Sequence, residues 1–334
     1  MSDFHAAPLF DVASYARRGP GRRDRLSPAE IDQVRRTVYR APEVMVKVLP
    51  GSQPTAAAAR RHLEYVGREG ELALETDAGE RLTGEDAARR IVDDWDLDLE
   101  EERPGSRLSA SEPTRRPKLV HKLVFSMPPG TPADKVLGAV RDFAREEFAL
   151  KHRYAMVLHT DDDHPHVHVV VKSVSEQGER LNIRKETLRR WRAEFARQLR
   201  ARGVDANATE RAVRGSPMKA YTDGIFRAAT RGASIHLKRR VRAALGTAAS
   251  PEPGAARLEV TNGAIRHGFL VLASQLGQQG EQELSRATYR FADQLPLAQT
   301  DRERIHEGRT QSFGERLARS REQIIHSATM RHSR

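Results

Sequence analysis

Two apolar runs separated by a short acidic turn constrain the fold of this chain more than any other feature. The runs are Tyr154–His159 (YAMVLH) and His166–Lys172 (HVHVVVK), and the turn between them spans Thr160–Pro165. Runs of this length, rich in valine and bounded by turn residues, predict two strands joined as a β-hairpin. An isolated hairpin is marginally stable in water, so further strands and helices must pack against this one.

Three histidines of the hairpin form a candidate metal site. Side chains alternate along a strand, so His166 and His168 point to the same face of the sheet. The hairpin places His159, at the end of the preceding strand, beside them. Histidine is the commonest metal ligand, and the chain contains no cysteine that could serve as a thiolate ligand. We therefore predict that His159, His166 and His168 converge on one divalent ion.

The turn between the two strands carries other polar groups. Asp161 and Asp163 could orient the ring N–H groups of the ligands or simply solvate the turn, and the sequence leaves both roles open. His164 is expected to point away from His166 and could contact a phosphate. The spacing differs from H-E-x-x-H, in which two ligands lie four apart on a helix, so a zinc peptidase is not indicated.

Apolar periodicity predicts further elements on both sides of the hairpin. We expect two more strands, at Val44–Leu49 and Leu119–Ser126. Thr131 is expected to cap a helix whose first residue is Pro132. Other helices are predicted at Ser27–Tyr39, Ala56–Val66, Glu85–Trp95 and Lys185–Arg202, and residues 103–117 read as a linker. Beyond residue 217 the composition predicts helices.

Charge is distributed unevenly over the 334 residues, whose formal net charge is +11. Residues 69–103 hold 14 acidic and 4 basic residues and are predicted to form a solvated loop and helix. Residues 181–242 hold 17 basic and 5 acidic residues, which favours contact with a phosphate backbone or, alternatively, a solvated helix face. The chain shows no apolar run of about 20 residues and no signal-peptide pattern, so we expect no membrane insertion and a cytoplasmic location.

Three sequence strings together resemble the motifs of conjugative relaxases of the VirD2/MobP type, within the HUH endonucleases. The string HTDDDHPHVHVVV, from His159 to Val171, is similar to the third motif. The strings KVLPG and HLEYVGREG, from Lys47 to Gly51 and from His62 to Gly70, are similar to the first motif, in which a helix bears a nucleophilic tyrosine. Ser126-Met127-Pro128 stands where the second motif would lie. The resemblance covers residues 44–215.

This resemblance implies an α+β fold: a central antiparallel sheet with flanking helices, akin to a permuted palm or RRM fold, followed by a mainly helical C-terminal region. The implied organisation is a basic extension at 1–43, a nicking domain at 44–217 and a basic helical region at 218–334. Tyr65 would be the nucleophile, His159, His166 and His168 the ligands, and Mg²⁺ or Mn²⁺ the cofactor. Lys172 departs from the family, which often has Asn shortly after the histidine strand.

The implied activity is nicking of one DNA strand at a transfer origin, with the protein joined to the 5′ phosphate and a later religation that supports conjugative transfer. A tyrosine expected to be buried would have to reach the backbone, which favours single-stranded or hairpin DNA. The same resemblance implies two kinds of partner, accessory relaxosome proteins and a type IV coupling protein. It also implies a location in the bacterial cytoplasm and export of the protein with the DNA. Candidate DNA contacts are Arg61, Arg68, Lys172, Arg184, Lys185 and Arg189, with Lys47 and Lys122 as weaker ones.

Two other functions remain open at this point. One is a catalytically inactive DNA-binding protein, either a regulator or a structural relaxosome component. The other is a metal-dependent hydrolase of small phosphates or RNA. Tyr65 also has competitors as nucleophile, among which Tyr154 is expected to be packed in the sheet; the others are Tyr15, Tyr39, Tyr221 and Tyr289.

Overall fold

The computed structural model describes residues 25–51, 54–102, 117–214 and 254–296, together with isolated residues between and after these ranges. The chain divides into two compact units, of which the first holds Asp32–Thr209. The second holds the described parts of residues 11–31 and 210–334. The predicted boundaries at residues 43 and 217 stay a prediction. Residues 103–116 of the predicted linker, and most of the C-terminal region except 254–296, lie outside the described residues.

A six-stranded sheet forms the centre of the first unit. Its strands are β1 (Met45–Val48), β2 (Leu74–Thr76), β3 (Arg81–Leu82), β4 (Val120–Ser126), β5 (Tyr154–His159) and β6 (His166–Lys172). Their spatial order is β1-β4-β6-β5-β2-β3, and every pairing is antiparallel. The central antiparallel sheet and the β5–β6 hairpin are thereby confirmed.

Helices of the first unit cover both faces of this sheet. In chain order the helices of the described residues are α1 (Pro28–Val38), α2 (Ala56–Val66), α3 (Ala87–Asp94), α4 (Leu97–Glu102), α5 (Ala133–Glu147), α6 (Lys185–Ala201), α7 (Ala255–Gln278) and α8 (Gln282–Asp293). The α1 and α2 starts follow the expected capping chemistry. At α1, the backbone N–H and the hydroxyl of Ser27 both donate hydrogen bonds to the Glu30 carboxylate. At α2, the Thr55 hydroxyl accepts a hydrogen bond from the Ala58 amide.

The alternation of β6 divides its side chains between two separate cores. Val167, Val169 and Val171 join the core beneath α5 and α6, which also holds the buried rings of Phe143, Trp191 and Phe195. Val170 joins the core beneath α2, α3 and α4, where Leu63, Ile91 and Trp95 are buried. His166 and His168 alternate with the first set, so they project from the face that α2 covers.

The structure differs from the sequence expectation in the acidic stretch 69–103. This stretch contributes strand β2 and the edge strand β3, which the sequence did not predict, and buries Leu74, Leu82 and Trp95. It is therefore part of a core and not only a solvated loop and helix. The predicted cap at Thr131 is also wrong. The Thr131 hydroxyl donates to the Pro128 carbonyl, and α5 begins at Ala133 with Pro132 at the N-cap.

The longest described part of the second unit, residues 254–296, forms a helical pair, as expected for the C-terminal region. Helices α7 and α8 pack through Phe269 and Phe291, whose ring centroids lie 4.9 Å apart. The Ser285 hydroxyl of α8 donates to the carbonyl of Ala273 in α7. Among the described helices, α7 and α8 included, none combines the length and the apolar character that crossing a membrane requires.

Candidate active site

The three predicted histidine ligands meet at one end of the β5–β6 hairpin. His159 and His166 are direct cross-strand partners, and His168 follows two residues along β6 on the same face. One ring nitrogen from each of the three lies within 4.8 Å of the others. Two ligands of a single tetrahedral ion, each about 2.0–2.1 Å from it, are separated by about 3.3 Å. The three nitrogens would therefore have to draw together by about 1 Å or more at the widest pair to hold one ion.

Backbone carbonyls fix which nitrogen two of these rings can offer. Nε2 of His159 lies 2.7 Å from the carbonyl oxygen of Val66, and Nδ1 of His166 lies 3.0 Å from that of His164. A carbonyl only accepts hydrogen bonds, so each of these nitrogens carries the proton. The lone pairs left to bind a metal are then on Nδ1 of His159 and Nε2 of His166. Such outer hydrogen bonds orient a ligand before the metal arrives.

Burial keeps the cluster in the neutral form that a metal requires. Burial is the largest cause that lowers the pKa of His168 to about 3, and the neighbouring His159 and His166 add to the effect. Burial likewise lowers the pKa of His159. Because histidine ligates a metal only when deprotonated, these two rings are ready to bind at neutral pH.

The helix that carries Tyr65 ends at this cluster. Val66, whose carbonyl accepts the hydrogen bond from His159, is the last residue of α2, and Tyr65 immediately precedes it. The Tyr65 side chain is 74% exposed, so the expectation of a buried tyrosine is wrong. Tyr65 does not pack on the sheet, whereas its competitor Tyr154 is buried in the core as expected. An exposed phenol beside the histidines is open to a large substrate.

A second link joins the end of α2 to the histidine hairpin. Arg68 forms an ion pair with Asp161, whose other carboxylate oxygen lies 3.8 Å from Nδ1 of His159. That separation is too long for a hydrogen bond, so Asp161 acts on Arg68 and does not hold the ring. The Arg68 guanidinium holds the pKa of Asp161 below its usual range.

The turn that presents Arg68 has unusual backbone geometry. Arg68, Glu69 and Gly70 have φ values of 51°, 54° and 94°, three successive residues in the left-handed region. For a residue with a side chain this region costs about 1–2 kcal/mol. A Cβ on Gly70 would lie 2.3 Å from backbone atoms of Gly84. The Gly70 amide carbonyl also accepts a hydrogen bond from the Gly84 amide, and this close approach holds the turn in place.

His62 is a site residue that the sequence reasoning missed. Its ring stacks on that of Tyr65 with 6.5 Å between centroids, and it lies close enough to His168 to lower the pKa of that ring. Nε2 of His62 is buried and has no hydrogen-bond partner among the residues that the structure describes. Burial, with the nearby charge of Lys122, lowers the pKa of His62 to about 4. Its position three residues before Tyr65 on a helix was the available signal, since such pairs share a side.

Other candidate residues of the turn and of α2 lie near the cluster without joining it. Asp163 and His164 are exposed, and Nδ1 of His164 donates to the Met127 carbonyl. Neither belongs to the candidate metal group found among the described residues. Arg61 is exposed on α2.

The remaining DNA-contact candidates are not brought to the histidines. Lys172 lies at the opposite end of β6, about 20 Å from His166 by strand rise, and is buried with its ammonium 3.4 Å from Glu176. Arg184, Lys185 and Arg189 stand at the start of α6, which covers the other face of the sheet.

Two arginines of the basic helix α6, and Arg202 just after its end, pair with carboxylates of α5. Arg190 pairs with Glu147, and Arg202 pairs with Asp142. Arg197 bonds Glu146 as well as Glu194 of its own helix. These pairs explain why a positive segment of sequence need not form a positive surface.

The donor set bears on the kind of metal. Imidazole nitrogens suit first-row transition ions, whereas Mg²⁺ prefers oxygen ligands and keeps several waters. His159, His166 and His168 thus fit a divalent transition ion. A site for Mg²⁺ would need additional oxygens, which a phosphate and water can supply.

Comparison with known proteins agrees with this geometry. Residues 79–204 match the profile of the family described as "Relaxase: MobA/VirD2-like, nuclease domain". This match includes all three histidines and begins after Tyr65. The chain is 28% identical over 193 residues to the T-DNA border endonuclease VirD2 of Rhizobium radiobacter, covering 52% of this chain and 43% of that protein.

Two further relatives give the same result. The VirD2 proteins of Agrobacterium fabrum and Rhizobium rhizogenes are 26% and 27% identical over 203 residues, which is 55% of this chain. The chain spans less than half of the length of these relatives. Together with the sheet and the histidine cluster, the matches confirm the resemblance drawn from the motifs. Residues 79–204 thus resemble the nuclease domain of MobA/VirD2-like relaxases, the group that the sequence motifs had indicated.

Proposed function

We propose that this chain is a relaxase that nicks one strand of DNA by metal-assisted tyrosine transesterification. The observation that carries the proposal is the hydrogen bond from His159 to Val66, because it joins the histidine cluster to the helix end that presents Tyr65. A metal site by itself would fit many metal-dependent hydrolases as well. An exposed tyrosine next to three convergent histidines fits transfer of a phosphoryl group to the protein.

In the proposed reaction the Tyr65 oxygen attacks a backbone phosphorus in line with the departing 3′ oxygen. The phenol gives up its proton, a tyrosyl–phosphate bond forms, and the bond from phosphorus to the 3′ oxygen breaks. The 3′ oxygen takes up a proton and leaves as a hydroxyl. A divalent ion held by His159, His166 and His168 supplies charge stabilisation to the phosphoryl oxygens. Because the phosphodiester is exchanged for another ester, the reverse reaction can rejoin the strand.

The proposal includes a transfer origin as the physiological site and conjugative mobilisation as the outcome. The relatives named as T-DNA border endonucleases support it, since their name describes cleavage at a defined border.

The exposure of Tyr65 bears on the form of the DNA substrate. Because the tyrosine is not buried, its burial no longer argues for a single-stranded substrate. Single-stranded or hairpin DNA remains our proposal on the family resemblance. Relaxosome proteins, a coupling protein, a cytoplasmic location and export with the DNA remain predictions.

A gel assay tests the nucleophile. Labelled single-stranded oligonucleotides tiled across a candidate origin are incubated with wild type or Tyr65→Phe, with Mn²⁺, Mg²⁺ or EDTA. We expect a denaturation-resistant protein–DNA adduct only with wild type and metal. Tyr39→Phe is the matched control, because Tyr39 is also exposed and should leave the adduct intact.

Each other outcome points to a different function. Binding without any adduct in either protein indicates an inactive DNA-binding component. Metal-dependent turnover that survives Tyr65→Phe indicates a hydrolase. An adduct that forms in Tyr65→Phe refutes Tyr65 as the nucleophile.

A further inference from the structure

Sheet register places a lysine in line with one of the histidine ligands. Lys47 of β1 is paired with Val124 of β4, and Val124 is paired with His168 of β6. Directly opposed residues of antiparallel strands project from the same face. Lys47 and His168 therefore share one row across the sheet, two strand spacings or about 10 Å apart at the backbone. The small apolar side chain of Val124 lies between them.

A second lysine lies diagonally next to this row. Lys122 stands two residues before Val124 on β4, so its side chain projects from the same face. Its ammonium lies 3.0 Å from where a Cβ of Gly51 would be, and Gly51 has a φ of 97°. A glycine at this turn thus leaves room for the ammonium. Lys122 is paired with Val170, which lies two residues after His168 on β6, so the lysine borders the candidate active site.

We propose that Lys47 and Lys122 form a subsite for a DNA phosphate that neighbours the phosphate undergoing nicking. This inference rests on the proposed function, since it assumes a DNA strand laid across the face that bears the histidines. The strand would run from the triad over Val124 towards the β1 edge of the sheet. A lysine ammonium is a compact charge that binds phosphate without reading the base, so the subsite would position the strand.

Two comparisons within the molecule favour Lys47 over the more numerous arginines. The arginines of α6 lie on the opposite side of the sheet, where Arg190, Arg197 and Arg202 pair with carboxylates. Arg68, whose charge acts on His159, pairs with Asp161. Lys47, by contrast, is exposed on the histidine face.

The experiment measures the salt dependence of DNA binding without catalysis. A fluorescein-labelled 20-nucleotide oligo-dT is titrated with Tyr65→Phe protein in EDTA, and anisotropy is recorded from 50 to 200 mM NaCl. The variants Lys47→Gln, Lys122→Gln and the double substitution are made in the Tyr65→Phe background. Lys135→Gln is the matched control, because Lys135 is exposed on α5, on the other face of the sheet.

Each lysine that binds a phosphate contributes about 0.7 to the slope of log K against log salt for a single strand. We expect the double substitution to reduce that slope by about 1.4 and each single one to weaken binding about fivefold at 0.1 M salt. Lys135→Gln should leave the slope unchanged. Lys47→Arg should keep the slope of the Tyr65→Phe protein, which would show that the charge at this position is responsible for the slope. Unchanged thermal unfolding of the variants would show that their folding is intact.

The outcomes separate the subsite from the function on which it rests. A double variant with the slope of Lys135→Gln overturns the subsite while leaving DNA binding in place. A Tyr65→Phe protein that does not bind the oligonucleotide at all refutes DNA as the substrate, and the subsite with it. A reduced slope accompanied by failure of wild type to form an adduct supports the subsite but not the nicking reaction.

Discussion

The left-handed turn after Tyr65 gives the sharpest test of how the site is held. Gly70→Ala imposes two separate costs. An alanine at a φ of 94° is disfavoured by about 1–2 kcal/mol. Its Cβ would also lie 2.3 Å from the Gly84 backbone, and overpacking of this kind costs about 1–3 kcal/mol. The free energy of unfolding should therefore fall by about 2–5 kcal/mol.

Gly79→Ala separates these two costs. Gly79 has a φ of 83°, close to that of Gly70, and nothing lies within 4 Å of its added Cβ. Urea denaturation should show that Gly79→Ala loses only the conformational part, about 1–2 kcal/mol. Because Gly70 ends the turn that presents Arg68, Gly70→Ala should also slow adduct formation, by up to about 100-fold for a displacement of about 1 Å. Equal losses of stability in the two variants would refute the reasoning.

Two further predictions concern the histidines. His159→Gln should weaken Mn²⁺ binding, measured by calorimetry, at least about tenfold. His164→Gln is the control and should leave the affinity unchanged, because His164 donates a hydrogen bond to the Met127 carbonyl instead. Equal affinities in the two variants would contradict the ligand assignment. Metal-free protein should lose stability as the pH falls from 6.5 to 5. The folded pKa values of His62 and His168, about 4 and about 3, lie below the ordinary 6.5, so protons bind preferentially to the unfolded chain. The urea midpoint should fall over this range and fall less in His62→Gln, and a midpoint that rises would show the sign to be wrong.

The local parts of the site could be predicted from the sequence. His166 and His168 are two residues apart on a strand, and one tight turn brings His159 beside them. Strand alternation and a hairpin suffice to place all three. The same applies to the buried stripes of α5 and α6, whose 3.6-residue period is written in the sequence.

The long-range parts could not be predicted from spacing. Val66 and His159 are 93 residues apart, as are Arg68 and Asp161, and no periodicity relates one member of such a pair to the other. Strands β2 and β3 are three and two residues long, too short to show an alternation. The ion pairs between α5 and the arginines of α6 could not be predicted either, since composition counts the arginines but not which carboxylates lie beside them.

The hydrogen bond between Val66 and His159 has a mechanical consequence under the proposed function. A DNA strand joined to Tyr65 pulls on the last turn of α2, and the adjoining carbonyl passes that load to a ligand on β5. Strand β5 is hydrogen-bonded on both sides, to β6 and to β2. The force on β5 is therefore shared with two neighbouring strands, whereas a strand at the edge of the sheet would be held by one neighbour only. Tension on the covalent intermediate would therefore act along the same contact that aligns the site for rejoining the strand.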